Sequence, residues 1–151
     1  MQLSQKEKDI IKDLIDEEKL CVEKYTKHSS CANDSQLKNL FSQIAQIEQS
    51  HLDSVTQLSN GVIPQQNGNS PQPQSNFSAT YSAMDNNDQK KNDAYLCSDI
   101  LATEKHASHL YDTCIFEFKD ASARSLLNHI QKEEQNHGKL IYDYMQTNSM
   151  Y

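Results

Sequence analysis

The sequence predicts an all-α chain folded as a four-helix bundle, with a long connection between helices 2 and 3. Three observations carry this. Four stretches place apolar residues at three- and four-residue steps, the spacing that lines one face of a helix. Glycine is scarce, with 3 in 151 residues, and no stretch alternates apolar with polar residues as a half-buried strand would. All three prolines (Pro64, Pro71 and Pro73) and two of the glycines fall in a Gln-, Asn- and Ser-rich segment, residues 60–87. Such a composition makes a connector, not a helix. A single domain over 1–151 follows, with helix pairs at 4–59 and 88–146, and it is long enough to bury a core.

Each element has its own signals. The first helix is expected to open at Ser4, where SQKE reads as a capping box closed by Glu7. Its inner stripe is Ile11, Leu14, Ile15, Glu18, Cys21, Val22 and Tyr25. A polar turn, SSCAND, offers Asn33 or Asp34 as the next N-cap. The second helix then presents Leu37, Phe41, Ile44, Glu48, His51, Val55 and Leu58. The third carries Cys97, Ile100, Leu101, Glu104, Ala107, Tyr111 and Cys114. Asp120 is the expected cap of the fourth, whose stripe is Leu127, Ile130, Glu134, His137, Ile141 and Tyr144. About 26 helical residues span roughly 39 Å, a distance the 60–87 segment can cross.

Composition narrows the function classes. A net charge of −7 without a basic cluster argues against a nucleic-acid surface. No apolar run reaches membrane-spanning length. The opening MQLSQKEKDIIKDL has no signal-peptide core, so a cytoplasmic start is expected. Cys21, Cys31, Cys97 and Cys114 are too scattered for a disulfide framework, and no CxxC occurs. A zinc ribbon or rubredoxin-type iron domain is thereby excluded on this chain.

The inward glutamates and histidines are the anomaly. An offset of 86 residues brings the two halves into register. Glu18-Lys19 then meets Glu104-Lys105, Tyr25 meets Tyr111, and Glu48 with His51 meets Glu134 with His137. Each half thus supplies one Glu on its first helix and a Glu-x-x-His on its second. An i, i+3 pair shares one helix face. Six candidate metal ligands converge: Glu18, Glu48, His51, Glu104, Glu134 and His137. Four carboxylates buried together repel and lose their hydration, whereas two divalent cations cancel their charge. Mixed oxygen and imidazole donors favour iron or manganese. The stripes select Glu18 over Glu17 and Glu134 over Glu133.

Other polar residues receive ordinary roles. His106, His109 and His129 turn off the ligand stripe and are expected in solvent. His28 sits near a helix C-terminus, where a cation suits the dipole. Tyr25 and Tyr111 are expected as core tyrosines with hydrogen-bonded hydroxyls, and Cys21 as a small buried hydrophobe. Gly138 is expected at a close helix contact. Removing one carboxylate is expected to stabilise the metal-free bundle by relieving repulsion.

The ligand pattern resembles the ferritin-like di-iron carboxylate proteins, with Glu on helices one and three and Glu-x-x-His on two and four. A closer likeness lies in KDIIKDLIDEEKLCVEKYT, NDSQLKNLFSQIAQIEQSHLDSV and HGKLIYDYMQTNSMY. These stretches resemble the Coat F family of bacterial spore-coat proteins, and the likeness covers nearly the whole chain outside 60–87. The resemblance implies synthesis in the mother-cell cytoplasm, deposition in the spore coat and other coat proteins as partners; the charge and hydropathy above argue for no nucleic acid and no membrane. It leaves functions open. One is a coat protein, compatible with a two-fold homodimer, with two iron or manganese ions. Another is a rubrerythrin-like di-iron oxidase or peroxidase acting on oxygen or hydrogen peroxide, its electrons coming from a separate donor. Iron storage in a cage ranks last, since no sequence mark of cage contacts is present.

Overall fold

The computed structural model describes residues 1–66 and 71–151. Among them are four helices and no strand: α1 Gln5–Cys31, α2 Ser35–Ser59, α3 Asp88–Glu117 and α4 Ala121–Thr147. The caps follow the sequence signals. Ser4 and Glu7 form the capping box of α1, Asp34 rather than Asn33 caps α2, and Asp120 accepts from the Ser122 and Ala123 amides at the start of α4. Each cap satisfies amides that have no partner within the helix.

Short turns fold α1 against α2 and α3 against α4, and α1 also packs along α3. The apolar stripes meet in two clusters. One gathers Tyr25, Phe41, Ile44, Ile100, Ile141 and Tyr144. The other gathers Ile11, Leu14, Val55, Tyr111, Leu127 and Ile130. The inward Glu and His residues occupy the stripes between them, so a polar layer is held between two apolar ones.

The connection between α2 and α3 is helix-free where described. Its first part borders Ser50, His129 and Glu133, and Pro71 and Pro73 lie by Ile47, His137 and Leu140. Farther on, the Gln74 amide donates to Gln43 Oε1 at 2.8 Å and the Ser78 amide to Gln36 Oε1 at 2.9 Å. The described residues of the segment therefore lie over the α2–α4 face and lead to the start of α3. At its beginning Gly61 has φ +79°, and a Cβ there would collide with the Met1 carbonyl oxygen. Only glycine meets both demands.

The 86-residue register extends to the bundle ends. Asp93, fully buried, accepts from the Asn33 amide at 2.8 Å, the Asp34 amide at 2.9 Å and the Tyr81 hydroxyl at 2.8 Å. Its counterpart Glu7 accepts from the Lys119 amide, at 2.9 Å, in the other turn. Each half thus clamps the turn of the other. Gly138 departs from expectation. A Cβ there would make one ordinary van der Waals contact, with Leu101 Cδ2 at 3.9 Å, so the position has room for a side chain and does not mark a close helix approach.

Candidate metal centre

All six sequence-selected residues meet at the bundle centre, each at most 3% exposed. Two groups have ligand atoms within 4.8 Å of one another: Glu18, Glu48, His51 and Glu134, and Glu48, Glu104, Glu134 and His137. Glu48 and Glu134 belong to both. The geometry obeys the pseudo-two-fold relation of the repeat. His51 Nδ1 lies 3.1 Å from Glu134 Oε1, and His137 Nδ1 lies 3.1 Å from Glu48 Oε1. The two imidazoles stack with centroids 5.9 Å apart.

Electrostatics divides the carboxylates. Burial, reinforced by Glu48, pushes Glu18 well above the carboxylate range. Burial, with Glu104 and Glu48 nearby, does the same to Glu134. Burial would also raise Glu48, but hydrogen bonds from His137 and His51 hold it well below its ordinary value. Burial opposes charging of His51, yet Glu133 and Glu48 raise it. Among the described residues, Glu18 Oε2, Glu104 Oε2 and Glu134 Oε2 have no hydrogen-bond partner. Unpaired buried carboxylate oxygens are costly, and here they face two imidazoles and three other acids. This donor set fits a pair of hard or borderline divalent cations.

Two tyrosines complete the layer. The Tyr25 hydroxyl donates to Glu104 Oε1 and the Tyr111 hydroxyl to Glu18 Oε1, each from the opposite half. Their hydroxyls are hydrogen-bonded as expected, but to the clustered carboxylates. Burial, followed by Glu104 for Tyr25 and Glu18 for Tyr111, raises both phenols far above their usual value, so both keep their protons. Cys21 is buried and its thiol is likewise pushed up by burial, as fits a small core residue.

The sequence reading missed an outer layer. Glu133 sits outside the ligand groups, but its Oε2 is 2.5 Å from His51 Nε2, and its Oε1 is 3.0 Å from His129 Nε2. His129 keeps a 39% exposed side chain and is in addition tied to the centre through Glu133. His106 Nδ1 meets Glu17 Oε2 at 3.2 Å, although its side chain is 63% exposed. His28 Nε2 bonds Asp99 Oδ2 at 2.8 Å, a partner on α3 beyond its own helix end. Helical periodicity says nothing about partners on another helix, which is why the pairs between helices were invisible. The i, i+4 spacing of His129 and Glu133 was the one available signal. The outer layer also breaks the symmetry, because the register places Ile47 where Glu133 stands.

Comparison with known proteins was informative at one point. Residues 92–151 match a family model, the Coat F domain. That match supports the Coat F family. It covers most of α3 and all of α4, including HGKLIYDYMQTNSMY. The stretches KDIIKDLIDEEKLCVEKYT and NDSQLKNLFSQIAQIEQSHLDSV lie outside the Coat F match, which is narrower than the likeness read from sequence. No curated protein and no solved structure matches the chain. Among the described residues, no helix is long and apolar enough to cross a membrane.

Proposed function

We propose that this is a spore-coat-type protein of ferritin-like architecture whose bundle binds two metal ions, iron or manganese. Glu18, Glu48, His51, Glu104, Glu134 and His137 hold them. The observation that carries the reading is the pair of four-residue ligand groups sharing Glu48 and Glu134. Carboxylates common to two groups are the device by which binuclear sites set their ions roughly 3.5–4 Å apart. The Coat F match of the second helix pair supports a place in the spore coat, among other coat proteins. Mother-cell synthesis belongs to the same reading.

The residues around the cluster have defined tasks in it. Tyr25 and Tyr111 hold a proton against one oxygen of Glu104 and of Glu18, leaving the second oxygen of each to a cation. Glu133 orients the His51 ring, fixing which nitrogen faces the centre. Replacing Glu133 with Ala is expected to weaken metal affinity about 10–100-fold while leaving the stoichiometry intact. Titration with Mn(II) measures this, and an unchanged affinity would remove the orienting role.

Metal analysis of protein purified without chelators, then reloaded anaerobically with Fe(II), tests the main reading. The expected result is about two ions per chain, as in two-metal sites. Absence of metal after reloading would reject it. Immunolocalisation on spores tests the second half: label confined to the mother-cell cytoplasm would reject coat deposition.

A second reading is favoured by a surface groove whose inner wall includes the buried Glu104 and Glu134. In it the protein is a rubrerythrin-like oxidase or peroxidase. Bound iron would then supply the electron chemistry toward oxygen or hydrogen peroxide. Consumption of peroxide with a supplied reductant would favour it, and inert loaded protein would favour the coat role alone.

A further inference from the structure

The two halves of the repeat are not packed alike. Between α3 and α4 lies an open groove of about 620 Å³, within the range of roughly 300–1,000 Å³ common for small-molecule sites. Leu101, Ser108, Gly138 and Tyr142 line it, and Glu104 and Glu134 stand at its inner wall. The 86-residue register shows how the space arises. In the first half, Val22 and Leu52 hold the positions of Ser108 and Gly138, and both are half-buried. Two branched side chains of the first packing plan are therefore reduced to a hydroxymethyl group and a hydrogen. A helix-interior glycine costs about 1 kcal/mol relative to alanine, and no positive φ or close contact at Gly138 requires it.

The same comparison shows a change of charge. His109 and Lys139 line the groove, where the first half has Glu23 and Asp53. Lys105 adds a second exposed ammonium on the α3 side. Asp112 also lines the groove, and Lys139 reaches Asp143 at 2.6 Å. That pair is exposed, and exposed pairs contribute little. In a chain of net charge −7, this cleft has exchanged two acids for a lysine and a histidine and has gained one acid, Asp112 in place of Thr26.

We propose that the α3–α4 groove binds an elongated apolar carboxylate of the medium-chain fatty-acid class. Its carboxylate lies between Lys105 and Lys139, and its chain lies along Leu101, Gly138 and Tyr142. The metal-site reading is deepened by this, since the ligand would rest beside Glu104 and Glu134; the groove itself is walled by this chain's own residues.

Calorimetric titration of the full chain with dodecanoate, on manganese-loaded and on chelator-treated protein, tests the proposal. Wild type is expected to bind. Restoring the first-half residues, Ser108→Val with Gly138→Leu, is expected to weaken binding at least about tenfold, while Gly138→Ala, which leaves most of the space, retains it. Lys139→Asp alters an exposed side chain and gives up its surface pair with Asp143. It is expected to weaken dodecanoate several-fold without changing the binding of dodecanol. Binding unaffected by both the filled-groove variant and Lys139→Asp would overturn the proposal. So would a wild-type dimer that ignores dodecanoate and dissociates on Gly138→Leu, which would assign the groove to a second copy. The two readings separate cleanly. Chelator-treated protein that binds dodecanoate but never takes up metal keeps the groove and loses the centre, and the reverse result keeps the centre alone.

Discussion

Glu48→Ala is expected to empty both metal positions, whereas Glu18→Ala or His51→Ala empties one. Glu48 is common to the two ligand groups, but Glu18 and His51 belong to a single group, and Glu104 and His137 to the other. Loading followed by mass-spectrometric metal analysis should therefore read near zero for Glu48→Ala and about one ion per chain for the others. Equal metal content in all these variants and in wild type would defeat the shared-carboxylate arrangement. His129→Ala, one layer farther out, should keep the wild-type count.

The same variants separate in the metal-free protein. Relief of repulsion was the expectation for any lost carboxylate, but the four acids are not equivalent. Glu48 accepts from both His51 and His137, so its removal takes one carboxylate partner from each imidazole, leaving Glu133 and Glu134 beside His51 and Glu104 and Glu134 beside His137. Losing hydrogen bonds to charged groups costs about 1.5–3 kcal/mol each. Glu18 is pushed toward its neutral form by burial and by Glu48, so Glu18→Gln keeps its shape and hydrogen bond at little cost. Thermal unfolding with chelator present checks the contrast. A Glu48→Ala bundle as stable as Glu18→Gln would mean that the histidines do not depend on Glu48.

Asp93→Ala is expected to be the most damaging change away from the centre. One buried carboxylate holds two backbone amides of the α1–α2 turn and the Tyr81 hydroxyl of the connection. Each stranded buried donor costs about 1–3 kcal/mol, and partial rehydration at a bundle end leaves a net loss of about 3–4 kcal/mol. For a chain of this size that lowers the melting temperature by roughly 6–16 °C. A loss under about 1 kcal/mol would show that the turn is held by its own cap and not by Asp93.

The counterpart clamp should respond to pH. Hydrogen bonding from the Lys119 amide, against the opposing effect of burial, lowers Glu7 from its model-peptide value of 4.5. A lowered folded-state value means that the unfolded chain takes up the proton first as acid is added. The contribution of Glu7 is therefore complete above 4.5 and disappears as pH falls through the lower folded value. Glu7→Gln should destabilise at neutral pH and match wild type in strong acid. A difference that persists at low pH would assign the effect to shape instead of charge.

Sequence and tertiary structure contributed different kinds of knowledge. Helix existence, three of the four caps and the inward stripes were legible because they are local. Ser4 with Glu7, Asp34 and Asp120 sit within a turn of the amides they cap, and a stripe repeats every three or four residues. The six clustered residues were legible for a related reason: a repeat displays each half as a control for the other, and an acid on an apolar stripe twice at one spacing is not chance. What stands on a neighbouring helix was not legible. Glu133 behind His51, Tyr25 across to Glu104 and Asp93 across to the α1–α2 turn depend on which faces meet, and side-chain periodicity carries no information about the partner.

The boundary between the two is one of range. By itself the sequence determined four helices, one connector and a symmetric set of six inward Glu and His residues, since hydrogen bonding along a helix and the cost of burying charge are local constraints. Only the tertiary structure decided how the symmetry is broken. It laid the connector over the α2–α4 face, gave His51 a carboxylate neighbour where the register puts Ile47 in the other half, and left a groove at Gly138. Packing made those choices, because a volume difference between Leu52 and Gly138 becomes a cavity only when a second helix fixes the distance across it.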